Sequence, residues 1–194
     1  LHLCHHNLET IQTNKYDSDN AKHNLLLEVC MAAKYEGTSL KGYHGIHQQT
    51  NKDSPSQLCT ELARSFADIG DIVRGRDPFY GNTHESARRK QLEDNLKDIF
   101  KKIHGGLSNN DVKERYKDDG GNYFQLREDW WEANRETVWE AITCNDDNKL
   151  ASASYFRQTC GSGSGKTATE AIHKCRCRDN QVPTYFDYVP QFLR

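Results

Sequence analysis

Seven cysteines, nine histidines and two basic clusters are the parts of this 194-residue chain that could do chemistry. The cysteines are Cys4, Cys30, Cys59, Cys144, Cys160, Cys175 and Cys177. So many thiols fit an oxidised framework in an extracellular compartment better than a reduced cytosolic domain. Their number is odd, so at least one is a free thiol or has its partner outside this segment. A bridge across the single residue between Cys175 and Cys177 would be strained, so the two are expected to bond to different segments. Spacing alone leaves the connectivity open. Cys4-His5-His6 and His173-x-Cys175-x-Cys177 carry zinc-type ligands, but the matched Cys-x₂₋₄-Cys pairs of structural zinc sites are missing. Disulfides and surface histidines account for both groups, and no metal or cofactor is expected.

Gly161-Ser162-Gly163-Ser164-Gly165-Lys166-Thr167 has the look of a phosphate-binding loop. That motif needs a glycine where Cys160 stands, and a buried strand before it, whereas Tyr155-Phe156-Arg157-Gln158-Thr159 is short and ends polar. A flexible Gly-Ser loop beside a disulfide is the better reading. Nucleophilic catalysis needs a Cys or Ser held beside a His and an orienting acid, and no motif provides that set. The chain is therefore expected not to be an enzyme.

The basic clusters are a different matter. Residues 88–117 hold Arg88, Arg89, Lys90, Lys97, Lys101, Lys102, Lys113, Arg115 and Lys117 against five acids, and residues 166–178 hold Lys166, Lys174, Arg176 and Arg178 against Glu170. One reading is a solvated face with i,i+4 pairs, since Asp94 sits inside the lysine stripe. The other is a surface for a sulfated glycan: several cations along one face suit a polyanionic sugar, and Arg forks suit sulfate as they suit phosphate. The overall formal charge of −2 argues against a generic nucleic-acid binder.

Helices must position these groups. From 58 to 73, Leu58, Leu62, Phe66, Ile69 and Val73 fall within about a quarter-turn, a core stripe, while Glu61, Arg64, Asp68 and Asp71 gather opposite. Gly70 costs such a helix about 1 kcal/mol, which close packing would explain. Ser54-Pro55-Ser56 is a plausible start for it. A first helix is expected over 21–35, with Leu26, Val29, Cys30 and Ala33 on one face, followed by a long loop over 36–57. A third helix covers 85–104, with Leu92, Leu96, Ile99 and Ile103 inward and Lys90, Lys97 and Lys101 facing solvent; Gly105-Gly106 ends it. A fourth, over 124–143, carries Leu126, Trp130, Trp131, Ala133, Val138, Ala141 and Ile142 on an arc broad enough for two neighbours. Loops at 77–84, 105–122 and 145–166, a short helix at 167–175 and another at 186–194 complete the reading. The expected fold class is all-α: an irregular, disulfide-tied helical bundle with long loops.

Mean hydropathy is −0.93 and 28% of residues are charged, while the aromatic residues supply core material, so wide solvated helix faces explain the polarity better than disorder. At this length one domain with a real core is the simplest organisation. No run of about 18 apolar residues exists to span a membrane. No signal peptide is visible in Leu1-His2-Leu3-Cys4-His5-His6, so secretion and anchoring are expected to be encoded elsewhere in a longer protein.

The literal string Ala63-Arg64-Ser65-Phe66-Ala67-Asp68-Ile69-Gly70-Asp71-Ile72-Val73-Arg74-Gly75 adds a resemblance. With it, in order, stand Leu3-Cys4 and Asn7-Leu8-Glu9, Ala33-Lys34-Tyr35-Glu36-Gly37, Leu58-Cys59, Trp130-Trp131, Trp139-Glu140-Ala141-Ile142-Thr143-Cys144, Cys175 with Cys177, and Pro183-Thr184-Tyr185-Phe186-Asp187-Tyr188-Val189-Pro190-Gln191-Phe192-Leu193-Arg194. Together they resemble the Duffy-binding-like domains, alpha class, of the malaria parasite's variant erythrocyte membrane proteins. The resemblance implies the central helical subdomain of a non-enzymatic adhesion domain, with the flanking subdomains largely absent from the segment. It implies display on the infected red cell, anchored by a membrane segment outside this chain. It also implies host erythrocyte receptors, heparan sulfate-like or blood-group sugars and complement-receptor ligands as partners, with loops free to vary. The competing expectation is a structural spacer that positions neighbouring binding subdomains. Tyr185, Phe186, Tyr188 and Phe192 are expected to pack against a missing subdomain rather than a partner.

Overall fold

The computed structural model describes residues 8, 11, 13, 16–50, 55–77, 83–116, 120–144, 150–151, 153–161, 168–178 and 181–194. Five α-helices lie among them: α1 Ala21–Thr50, α2 Pro55–Arg74, α3 Thr83–Gly105, α4 Asn110–Arg115 and α5 Phe124–Ile142. A two-stranded antiparallel ribbon follows, β1 Gln158–Cys160 with β2 Thr169–Glu170. Two 3₁₀ turns, Phe186–Tyr188 and Gln191–Leu193, close the chain. The fold is the disulfide-tied helical bundle that the sequence pattern calls for, with the ribbon as an addition.

The chain forms two compact units. One comprises Leu1–Leu3, Ala33–Ile69 and Arg135–Arg194, the other Cys4–Ala32 and Gly70–Asn134. Helices α1, α2 and α5 each contribute a segment to either unit.

In the first unit, α1 runs on to Thr50 instead of ending at 35. The glycine-, histidine- and serine-rich composition that suggested a loop is tolerated for physical reasons. A Cβ on Gly37 would stand 2.0 Å from the Ile142 carbonyl oxygen, so this glycine lets two backbones touch. The buried polar side chains find partners too. Ser65 Oγ donates to Glu36 Oε1 at 3.0 Å, and Lys41 Nζ donates to the Cys144 carbonyl. The inward face of α1 uses Ala33 and Leu40 in this unit and Leu25, Val29 and Ala32 in the second, whereas Leu26 is only half-buried.

Phe66 meets Trp139 edge-on, 5.2 Å between centroids, and the Trp139 indole donates to the Cys175 carbonyl at 3.0 Å. Two disulfides lock this region: Cys59–Cys175 and Cys160–Cys177. Adjacent Cys175 and Cys177 thus bond to different segments. Cys30 and Cys144 are half-buried; Cys4 lies outside the described residues. The expected helix at 167–175 is not formed among the described residues. Thr169–Glu170 pair with β1, and Lys174 and Cys175 take positive φ (53° and 54°) in a turn closed by a His173–Arg176 bridge. The strand pairing and the left-handed backbone at Lys174 and Cys175 leave no room for a helix there. The expected helix at 186–194 is likewise two 3₁₀ turns, because Pro190 forces Val189 into extended backbone (φ −91°, ψ 129°). Arg135 braces the turns: its fork donates to both Asp187 oxygens at 2.8 Å and to the Thr184 carbonyl at 2.9 Å.

The second unit is organised by the end of α2. A Cβ on Gly70 would stand 2.7 Å from the Trp131 ring, which is the close packing that justifies a helix-interior glycine. Asp71, expected at the surface, is buried. Its carboxylate accepts from Arg74 Nη2 at 2.9 Å, and Arg74, itself buried, also faces Glu128 at 3.5 Å. Gly75 turns the chain at φ 70° directly over the Arg127 guanidinium. Arg127 is fully buried and donates four ways: Nε to Val73 O (2.6 Å), Nη2 to Ile72 O (3.2 Å), and a fork onto Glu93 Oε1 and Oε2 (2.7 and 2.9 Å). Asp71 and Arg74, two of the distinctive string's polar residues, are therefore part of an internal lock.

Candidate functional site

Helix α3 buries Leu92, Leu96, Ile99, Phe100 and Ile103, which fixes its opposite face outward. It ends at a glycine pair where a Cβ on Gly106 would stand 2.2 Å from the Ser18 carbonyl oxygen. The short α4, which the sequence reading placed inside a loop, is capped by Asn109, whose side chain accepts from Asp111 N at 2.8 Å. It docks back on α3 through His104 Nε2 against the Lys113 carbonyl and Lys113 Nζ on the Gly105 carbonyl, both 3.0 Å.

The candidate cations in this unit sort by what holds them. Arg89 pairs with Asp77. Lys102 donates to the Thr13 carbonyl at 2.5 Å, and Lys113 to Gly105 as above. These three serve the fold. Arg88, Lys101 and Arg115 are exposed. Lys90 is exposed and pairs with Asp94 at 2.8 Å; the pair raises the lysine pKa and lowers that of the carboxylate, chiefly through their hydrogen bond. Lys97 stands 3.9 Å from Glu93, whose oxygens the Arg127 fork already occupies. Lys117 lies outside the described residues. Lys90, Lys97 and Lys101 share the outward face of α3, as their spacing requires.

In the first unit, Arg176 is bound to Thr143 Oγ1 (2.8 Å) and to the carbonyl (2.8 Å) and carboxylate (3.3 Å) of Glu140. Lys174 and Arg178 are exposed, and Lys166 lies outside the described residues. Two clusters that the sequence reading treated alike thus belong to separate units.

A cavity of about 350 Å³ in the second unit is walled by Ile72, Gly75, Asp77, Arg89, Glu93 and Leu96. Its charged walls, which include Lys90, are already paired: Arg89 with Asp77, Glu93 with Arg127 and Lys90 with Asp94. Among the described residues no group of three or more His, Cys, Asp or Glu side chains could hold a metal, and no helix is long and apolar enough to cross a membrane. The Gly-Ser loop, 162–167, lies outside the described residues. What the structure offers is a charged outer face on a braced scaffold, the class of arrangement that surface recognition uses.

Residues 1–194 match the Duffy binding domain family. Among solved structures, the chain is similar to the NTS-DBL1(alpha-1) domain of Plasmodium falciparum membrane protein 1 (PfEMP1) from the varO strain: 39% identity, TM-score 0.75, with 99% of this chain and 40% of that one covered. The varO NTS-DBL1-alpha and CIDR-gamma double domain matches at 40% identity and TM-score 0.76, over 99% of this chain and 25% of that one. The ICAM-1-binding PfEMP1 IT4var13 DBLbeta domain matches at 30% identity and TM-score 0.67, over 100% and 39%. The chain therefore spans two fifths or less of the length of these relatives. No curated protein sequence matches it significantly. The chain belongs to the Duffy-binding-like domains, a family that mediates adhesion.

Proposed function

We propose that this chain is the central helical part of a host-cell adhesion domain of a parasite variant surface antigen, and that the outward face of α3 binds a sulfated glycan of the heparan sulfate type on host erythrocytes. The observation that carries the glycan reading is exposed Lys101 beside half-buried Lys97, one turn apart on the outward face of a helix whose inner face is committed to the core. The contact would strengthen through many copies per cell, and its affinity would fall steeply with salt as counterions return. Display on the infected erythrocyte, anchored by a membrane segment outside this chain, belongs to the same proposal, as does a role in rosetting. Blood-group sugars and protein receptors are the other partners the family suggests, and the ICAM-1 binding of the DBLbeta relative supports a protein receptor beside the glycan.

The competing role, a spacer that positions neighbouring binding subdomains, draws on one observation: Arg89, Lys102, Lys113 and Arg176 are spent on internal contacts. A heparin column separates the two. Lys97→Gln/Lys101→Gln is expected to elute at clearly lower salt than the parent chain with unchanged helicity. Lys102→Gln serves as the control for fold damage, because its ammonium holds a backbone carbonyl. A parent chain that passes through heparin at low salt and leaves red cells unbound would overturn adhesion by this face and favour the spacer.

A further inference from the structure

On the reading that α3 binds a sulfated glycan, we infer that Asp94 is a specificity-determining residue: it withholds Lys90 from the lysine stripe, so the face discriminates between sparsely and densely sulfated chains. The stripe is graded. Lys101 is exposed and solvated. Lys97 has its carboxylate 3.9 Å away, and that carboxylate, Glu93, is held by the Arg127 fork at 2.7 and 2.9 Å. Glu93 cannot follow Lys97 outward, so Lys97 leaves at little cost. Lys90 is the opposite case. Its ammonium donates to Asp94 Oδ2 at 2.8 Å, both groups lie on the exposed surface, and the carboxylate is one turn away on the same face.

A helix rises about 1.5 Å per residue, so Lys97 and Lys101 are about 6 Å apart along the axis and Lys90 lies about 10 Å further toward the N-terminus. A chain with few sulfates is met by the near pair alone. To engage Lys90 it must also displace Asp94 and tolerate the carboxylate left beside it. An exposed pair of this kind is weak and screened by solvent, so a second nearby sulfate outweighs it and an uncharged hydroxyl does not. Lys102 takes no part, because it points to the Thr13 carbonyl.

The test measures the salt dependence of binding of the 194-residue chain to heparin and to partially desulfated heparin, each polymer serving as its own reference. Asp94→Asn is expected to steepen the log K against log salt slope on the desulfated polymer by about 0.7–0.9, one recruited cation. Lys90→Gln in the parent chain is expected to weaken heparin binding while leaving the desulfated polymer unaffected. The inference is overturned if Asp94→Asn changes neither polymer, or if Lys90→Gln weakens both alike; either result leaves the glycan reading standing. A parent chain that binds neither polymer overturns the glycan reading, and this inference with it.

Discussion

Replacing Glu93 by Gln probes the internal lock with almost no change of shape. Arg127 is fully buried and relies on Glu93 for its only carboxylate partner among the described residues, through two hydrogen bonds at 2.7 and 2.9 Å. The substitution removes the compensating charge and turns an amide donor toward guanidinium donors. Breaking a fully buried pair from one side costs about 3–5 kcal/mol. Glu93 is one-third exposed, so water replaces part of the loss, and about 2 kcal/mol is expected. For a chain of this length that corresponds to a fall in Tm of about 4–8 °C. Urea unfolding followed by far-UV circular dichroism gives the free energy directly. Arg127→Met removes the buried charge itself, so Glu93→Gln in that background should cost far less than alone, a coupling of about 1–2 kcal/mol. If Glu93→Gln lies within about 0.5 kcal/mol of the parent, Arg127 is satisfied by the Ile72 and Val73 carbonyls and the lock does not depend on the ion pair.

Two further outcomes follow from the same geometry. Cys59–Cys175 closes a separation of 116 residues and Cys160–Cys177 one of 17, so chain entropy assigns about 5 and about 3 kcal/mol to them; Cys59→Ser/Cys175→Ser should lower the urea midpoint more than Cys160→Ser/Cys177→Ser, and the reverse order would refute the entropic account. Tyr16 is buried, its hydroxyl meets no partner among the described residues, and burial, aided by Glu28, pushes its pKa up to about 12. The unfolded chain loses that proton near pH 10 while the folded one keeps it, so this contribution is whole below pH 10 and is lost as pH climbs toward 12, by up to about 2–3 kcal/mol. Tyr16→Phe should flatten that part of the stability profile, and identical profiles for the two proteins would refute the assignment.

Much of the scaffold was legible because apolar periodicity reports burial directly. Leu58, Leu62, Phe66, Ile69 and Val73 are all in the core, as are Leu92, Leu96, Ile99 and Ile103. Gly70 was legible as a packing glycine, though its partner Trp131 was not. What escaped was decided by contacts remote in sequence. Asp71 looks like a surface acid until Arg74 is seen to bind it in the interior. Residues 36–50 look like a loop until Gly37 is seen against Ile142. The helix expected at 167–175 gives way to pairing with β1 and a turn at His173–Arg176, which local spacing could not supply. The same holds for the candidate face: exposure of Lys90 and Lys101 followed from the helical period, whereas the capture of Lys102 by Thr13 and of Lys113 by Gly105 did not.

The lock around Arg127 gathers Ile72, Val73 and Glu93 from positions 34 to 55 residues upstream of it. A recombinant piece that stops short of Arg127 would carry every residue of the α3 lysine stripe yet lack the guanidinium that fastens Glu93 beneath it. Antisera raised on such truncated immunogens, or on synthetic peptides from this stretch, would largely recognise a relaxed chain rather than the shape presented by the intact polypeptide.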